Sequence, residues 1–156
     1  CGEAAAVGQE LGRELTTLRG SRTDAPRPLV RVWGGETTVR LASASSPVGG
    51  RCQELALAAA RYLDWAGADA DGVALLAAGT DGRDGPTDAA GAAVDGGTWR
   101  TIRDMGHDPE RALAAHASTT VLEAAGALVR TGPTGTNVMD VVIGVVGNRD
   151  RTLFDQ

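Results

Sequence analysis

The chain has 156 residues, enough for one domain with a real core, and carries a net charge of −5 with a pI near 5.0. That acidity argues against a general nucleic-acid binder, which needs a basic face toward phosphates. All 15 cationic residues are Arg, so chemistry that depends on a Lys, whether in a phosphate loop, as a Schiff base or as a general base, cannot be completed by this chain alone.

Hydrophobic residues make up 42% of the chain but aromatics only 3%. The core must therefore be built from Ala, Val and Leu, with close approaches between elements. The 22 glycines fall between apolar runs and read as loop chemistry. Two cysteines, Cys1 and Cys52, with no multi-cysteine framework, suit a reducing cytoplasm. The apolar runs are too short to span a bilayer, and nothing resembles a signal peptide. The expected setting is cytoplasmic, with no membrane partner. A first residue of Cys1 in place of Met reads as a piece of a longer polypeptide.

In chain order, Ala5, Val7, Leu11, Leu15 and Leu18 recur at helical spacing, with Gly20 as a stop. The stretch RTDAPRP, residues 22–28, reads as a linker, which makes residues 1–20 a helix joining two domains. Leu29 to Trp33 is a short β-type run, and Thr37 to Leu41 resumes after Gly34 and Gly35. WGGETTVRL thus reads as strand, tight turn, strand. Glu36 at the turn is either a solvated turn residue or part of a site.

Ala42 to Gly50 is a polar loop before a helix with Leu55, Ala58, Ala59 and Leu63 on one face. Arg51 stands at the mouth of that helix. Free N–H groups and the partial positive charge there disfavour a cation, unless an anion lies between them. The other reading pairs Arg51 with a nearby carboxylate. Cys52 is either a thiol of lowered pKa, which then needs a His base, or a small buried residue.

Val73 to Ala78 is apolar throughout, as in a strand buried on both faces. TDGRDGPTDAAG, Thr80 to Gly91, follows it. An acidic glycine loop at the carboxyl end of a strand is where α/β sheets bind ligands. Asp81, Asp84 and Asp88 do not fit EF-hand spacing, yet three acids beside a phosphate suit Mg²⁺ held partly through water. Asp84 and Asp88 can equally make turns or cap a helix. After a short apolar segment, Ala89 to Asp95, helices are predicted over Thr98–Met105 and Glu110–Ala115, the second begun by Pro109. Thr120 with Glu123 resembles a capping box for Val121–Leu128. His107 and His116 are expected on the surface of this layer.

TGPTGTNVMD, Thr131 to Asp140, leads into a second apolar strand, Val141 to Val146. If that strand runs antiparallel to Val73–Ala78, its leading loop lies at the same sheet edge as Asp81. Asn137 and the threonines then offer neutral hydrogen bonds to a ligand. Residues 148–156 are a polar tail. The sequence lacks G-x-x-x-x-G-K-[ST], G-x-G-x-x-G after a strand, G-x-S-x-G and zinc-type Cys/His spacing. The expected fold is a single α/β domain over residues 28–147, a three-layer α/β/α arrangement around a mixed sheet.

Four segments together resemble one family: WGGETTV (Trp33–Val39), GGRCQELAL (Gly49–Leu57), AGTDGRDGPTDAAGAAVDG (Ala78–Gly96) and TGPTGTNVMD. In that order they look like the C-terminal domain of the class II glycerate 2-kinases, a module called MOFRL. Some family members carry the name hydroxypyruvate reductase. The resemblance implies ATP-dependent phosphoryl transfer to the 2-hydroxyl of D-glycerate, with Mg²⁺. It implies a cleft closed by an N-terminal Rossmann-like domain that supplies a Lys. Arg51 would then face the substrate or the transferring phosphate, with Glu36, Asp81, Asn137 and Thr80 lining the cleft. Asp81 would be base or metal ligand, with Asp84 and Asp88 as further metal candidates.

Cys52 stands where the family has Asn, and His116-Ala117-Ser118 where Asn-Asp-Ser is common. A chain without its partner domain is expected to be inactive. The competing expectations are a non-catalytic ligand-binding or oligomerisation module, homodimer included, and an NAD(P)H-dependent hydroxypyruvate reductase.

Overall fold

The computed structural model describes residues 2–21, 27–39 and 48–147. The predicted linker, most of the loop before Gly50, the end of the Thr37–Leu41 run, Cys1 and the tail lie largely or wholly outside these residues.

Helix α1 spans Ala4–Gly20. Strand β1, Leu29–Gly35, is followed by helix α2, Arg51–Ala66, and a 3₁₀ turn, Gly67–Ala70. Strands β2 (Val73–Gly79) and β3 (Gly91–Asp95) come next. Three short helices, α3 (Thr98–Asp104), α4 (Pro109–Ala114) and α5 (Ser118–Ala124), lead to β4 (Leu128–Val129) and β5 (Asp140–Val146). Pro109 does open its helix, behind an Asp108 carboxylate that accepts from Arg111 N–H. The predicted capping box does not form, because α5 already begins at Ser118 and ends before Gly126, at φ +66°.

The α/β class is as expected, but the sheet is not mixed. The strand order is β1-β5-β2-β3-β4, and each of these ladders is antiparallel. The physical reason lies in the connections. β2 and β3 are joined by a loop without a helix, which suits antiparallel neighbours. β1 and β2, joined through α2, do run parallel to each other, but β5 is inserted between them. The helices also gather on one face, giving two layers and not three. Leu75 and Val94 on the sheet share one apolar cluster with Leu15 of α1, Leu57 of α2, Ile102 of α3 and Leu122 of α5. On the other face Val30 and Val32 are 54% and 64% exposed.

A core poor in aromatics is packed by backbone approach. Gly8 of α1 lies so close to α2 that a Cβ there would sit 2.1 Å from the Leu55 carbonyl oxygen. Gly8→Ala must push the two helices apart, and is expected to cost about 1–3 kcal/mol. A fall in the urea midpoint at unchanged slope is the measurement, and an unchanged midpoint would contradict this packing.

Gly34 and Gly35 do not make the predicted tight turn. They continue β1, so that Gly35 pairs with Asp140, which pairs with Gly79 on the far side. The second β-type run is reduced to a single parallel bridge from Thr38 to Glu3, just before α1. Three strands therefore end in one row, and Glu36, Asp81 and Asp140 are brought to one edge of the sheet.

Candidate functional site

At that edge Arg51 leaves the first turn of α2 and reaches Asp140. Its Nε and Nη2 donate to the two carboxylate oxygens at 2.6 and 2.9 Å, a two-pronged pair. Its Nη1 stands 3.1 Å from Glu36 Oε1. Asp140 is 6% exposed, whereas Glu36 is an exposed rim carboxylate. The Asp140 hydrogen bonds hold the guanidinium above its ordinary pKa, against the opposing effect of burial. Of the two readings of Arg51, pairing with nearby carboxylates is what forms.

Two free N–H groups at the start of α2 are also satisfied from within. Asp84 is 3% exposed, and its two oxygens accept from Cys52 N–H at 3.1 Å and Gln53 N–H at 2.8 Å. The anion at this helix start is thus the protein's own, delivered from the acidic loop. Its closeness requires Gly50, where a Cβ would lie 2.1 Å from the Asp84 carboxyl carbon. Burial raises the Asp84 pKa, and the two backbone N–H bonds pull it back. Cys52 is buried beside Asp84 and Asp140, and its thiol is pushed far above its ordinary range. It is the small buried residue of the two readings, with no activating base: His116 is bonded elsewhere.

The acids of the loop do not meet as a metal triad. Asp84 is a buried cap, and Asp88 lies on the surface bonded to Arg130 Nε at 3.0 Å. No group of three or more His, Cys, Asp or Glu that could hold a metal occurs among the described residues. Asp81 makes a local turn, Oδ1 accepting from Arg83 N–H at 2.9 Å, and its other carboxylate oxygen has no hydrogen bond among the described residues. One such carboxylate suits a Mg²⁺ that keeps most of its water and is held mainly by substrate phosphates.

Thr80 is structural. Its hydroxyl donates to the Met139 carbonyl at 2.6 Å and accepts from Val138 N–H at 2.8 Å, stapling the loop before β5 onto the loop after β2. Thr134 adds a hydroxyl bond to the Thr80 carbonyl and a backbone bond to that of Asp81. Asn137 turns its Oδ1 inward to Met139 N–H at 3.2 Å, and its Nδ2 makes no hydrogen bond among the described residues. Met139 holds φ +70°, a strained conformation next to Asp140. Val48, Val138 and Met139, near Arg51 and Asp140 in sequence, are exposed apolar side chains.

Two residues that shape this edge were not foreseen. Asp140 closes TGPTGTNVMD, and an acid opening an otherwise apolar strand was a usable signal. His116 is not a free surface residue, as expected, but pairs through Nδ1 with Glu54 Oε2 at 2.8 Å. That pairing spans 62 residues of sequence and leaves no local pattern.

Burial pushes the Glu54 carboxyl above its ordinary 4.5, and His116 pulls it part of the way back. A carboxyl with a raised folded-state pKa adds stability that is whole below 4.5 and is lost as pH rises through the raised value. Glu54→Gln removes this titration. Its unfolding free energy relative to the parent is expected to climb as pH rises from about 4.5 to 7 in urea titrations; a flat difference would count against it.

A family model described as the MOFRL family matches residues 29–140. The chain is 45% identical over 142 residues to a D-glycerate 2-kinase of Thermotoga maritima, covering 88% of this chain and 33% of that protein. It is 41% identical over 152 residues to a glycerate 2-kinase of Pyrococcus horikoshii, covering 97% and 33%. The crystal structure of the Thermotoga maritima glycerate kinase superposes with a TM-score of 0.83 at 43% identity, over 94% of this chain and 34% of that one. The chain spans about a third of the length of the curated relatives it matches.

Proposed function

The chain belongs to the MOFRL family, and from that premise we propose that it forms the C-terminal part of an ATP-dependent glycerate 2-kinase, contributing one wall of a cleft between two domains. The observation that carries the reading is the row Gly35–Asp140–Gly79, which sets Glu36, Arg51, Asp140 and Asp81 at one sheet edge. The start of α1 is tied to the same edge, with Gly2 and Ala4 bonded to the backbone of Thr38. The start of α1 therefore lies beside the site. Exposed Val138 and Met139 give such a neighbour an apolar rim to cover.

Phosphoryl transfer needs positioning and charge neutralisation more than covalent chemistry. In this reading Arg51, fixed by Asp140, presents a planar and permanently charged group to the substrate carboxylate or the moving phosphoryl group. Glu36, exposed and paired with Arg51, is the partner a ligand carboxylate displaces. Asp81 takes the proton of the attacking hydroxyl or supplies a carboxylate to Mg²⁺, and Asn137 Nδ2 offers a neutral donor. Mg²⁺ held on ATP would supply neutralisation of phosphate charge. The Lys that this chain lacks comes from the preceding domain.

The test compares this chain alone with a polypeptide that also carries the preceding domain, given glycerate, Mg²⁺ and ATP. The joined protein is expected to form phosphoglycerate, and the lone chain none. Turnover by the lone chain, or NADH consumption with hydroxypyruvate and no phosphorylation by the joined protein, would overturn the reading.

A further inference from the structure

Arg51 does not hold its own place. It follows two glycines, Gly49 and Gly50. Asp140 and Glu36 hold its guanidinium, and the backbone turn from which it leaves is held from two other parts of the chain. From one side Asp84 caps the helix start. From the other comes the segment between α4 and α5, residues 116–119.

That segment touches the turn at four points. The His116 carbonyl packs on Gly49, where a Cβ would meet it at 2.9 Å. Thr119 N–H donates to the Val48 carbonyl at 3.2 Å. Thr119 Oγ1 donates to Gln53 Oε1 at 2.6 Å. His116 Nδ1 meets Glu54 Oε2 at 2.8 Å. Gln53 in turn donates to Thr87 Oγ1 at 2.9 Å, which ties the segment to the acidic loop.

The His116 contact is the demanding one. Glu54 is 2% exposed, and its Oε1 is buried with no partner. The imidazole is thus the side-chain partner on which this carboxylate depends. His116 itself sits at φ +55°, a left-handed conformation that a residue with a Cβ adopts only at a cost. It occupies the position just past the α4 C-cap where Gly or Asn is usual. A strained residue bonded to a half-satisfied buried acid indicates a fixed geometry.

We infer that His116 is a positioning residue: through Glu54 and the Gly49 contact it clamps the segment 116–119 against the first turn of α2 and so holds the backbone from which Arg51 reaches Asp140. This rests on the kinase reading for its functional consequence, but its structural content does not.

The structural arm uses this chain alone. Amide hydrogen exchange is measured residue by residue for the parent, His116→Ala and Thr119→Val, the last removing a hydroxyl at nearly constant shape. Both variants are expected to speed exchange at Cys52 and Gln53, whose amides are bonded to Asp84, about tenfold or more, with β2 and β5 unchanged. Unchanged exchange at these amides in both variants overturns the clamp.

The functional arm uses the protein joined to its preceding domain. His116→Ala is expected to lower kcat/KM about tenfold through misplacement of Arg51. His116→Asn, which can donate from Nδ2 and tolerates positive φ, is expected to recover most of it. Normal kinetics in His116→Ala, or equal loss in His116→Asn, overturns the positioning role. If Arg51→Ala leaves activity intact, the kinase reading fails while the exchange result still decides the clamp.

Discussion

Arg51→Ala is expected to lower kcat/KM for glycerate by at least about tenfold, and toward a hundredfold or more if the guanidinium meets developing charge. The protein assayed is the two-domain form proposed above. Two losses combine in this variant. In the kinase reading the substrate loses a guanidinium donor whose charge cannot titrate away. Asp140, 6% exposed, loses the cation that neutralises it. The second loss bears on folding as well as chemistry, so a melting curve accompanies the kinetics. Arg51→Lys separates the two. It returns a positive charge near Asp140 but not the flat fork, and is expected to regain stability with little regain of rate. Full activity in Arg51→Ala at an unchanged melting temperature would remove Arg51 from the site.

The largest effect on stability is expected at Asp84. Asp84→Ala strips two charge-assisted bonds from the start of α2 and leaves a void where the carboxylate lay, a combined cost of about 2–4 kcal/mol. Urea unfolding measures it directly. Asp84→Asn keeps one acceptor oxygen and is expected to lose roughly half as much. This pair also separates a cap from a metal ligand. A cap predicts that added Mg²⁺ leaves the melting temperature of the parent chain where it was. A metal ligand predicts a rise in the parent and none in the variant. A cost below about 0.5 kcal/mol for Asp84→Ala would show that the helix start does not depend on it.

These expectations turn on contacts that a linear reading sees unevenly. The helix at Ala4–Gly20 and the apolar strands β2 and β5 were legible, because burial writes itself into periodicity over many residues. Arg51, Glu36 and Asp81 were legible as unusual residues beside glycines. The choice between a bound anion and internal partners was not, since Asp140 and Asp84 approach from 89 and 31 positions away. The turn at Gly34-Gly35 misled because glycine permits a turn without demanding one. The mixed sheet misled because a strand inserted between two parallel neighbours leaves both neighbours' patterns unchanged. His116 was invisible for the same kind of reason: its partner, Glu54, reads as an ordinary charge on an Ala-rich helix.

The seat of Gly8 against the Leu55 carbonyl has a mechanical meaning. Two helices pressed backbone to backbone turn together, like a crank and its arm. Force applied to the start of α1 is thereby delivered to α2 and to the arginine at its tip. A turn imposed on α1 would then register at the guanidinium as a rotation of the pair.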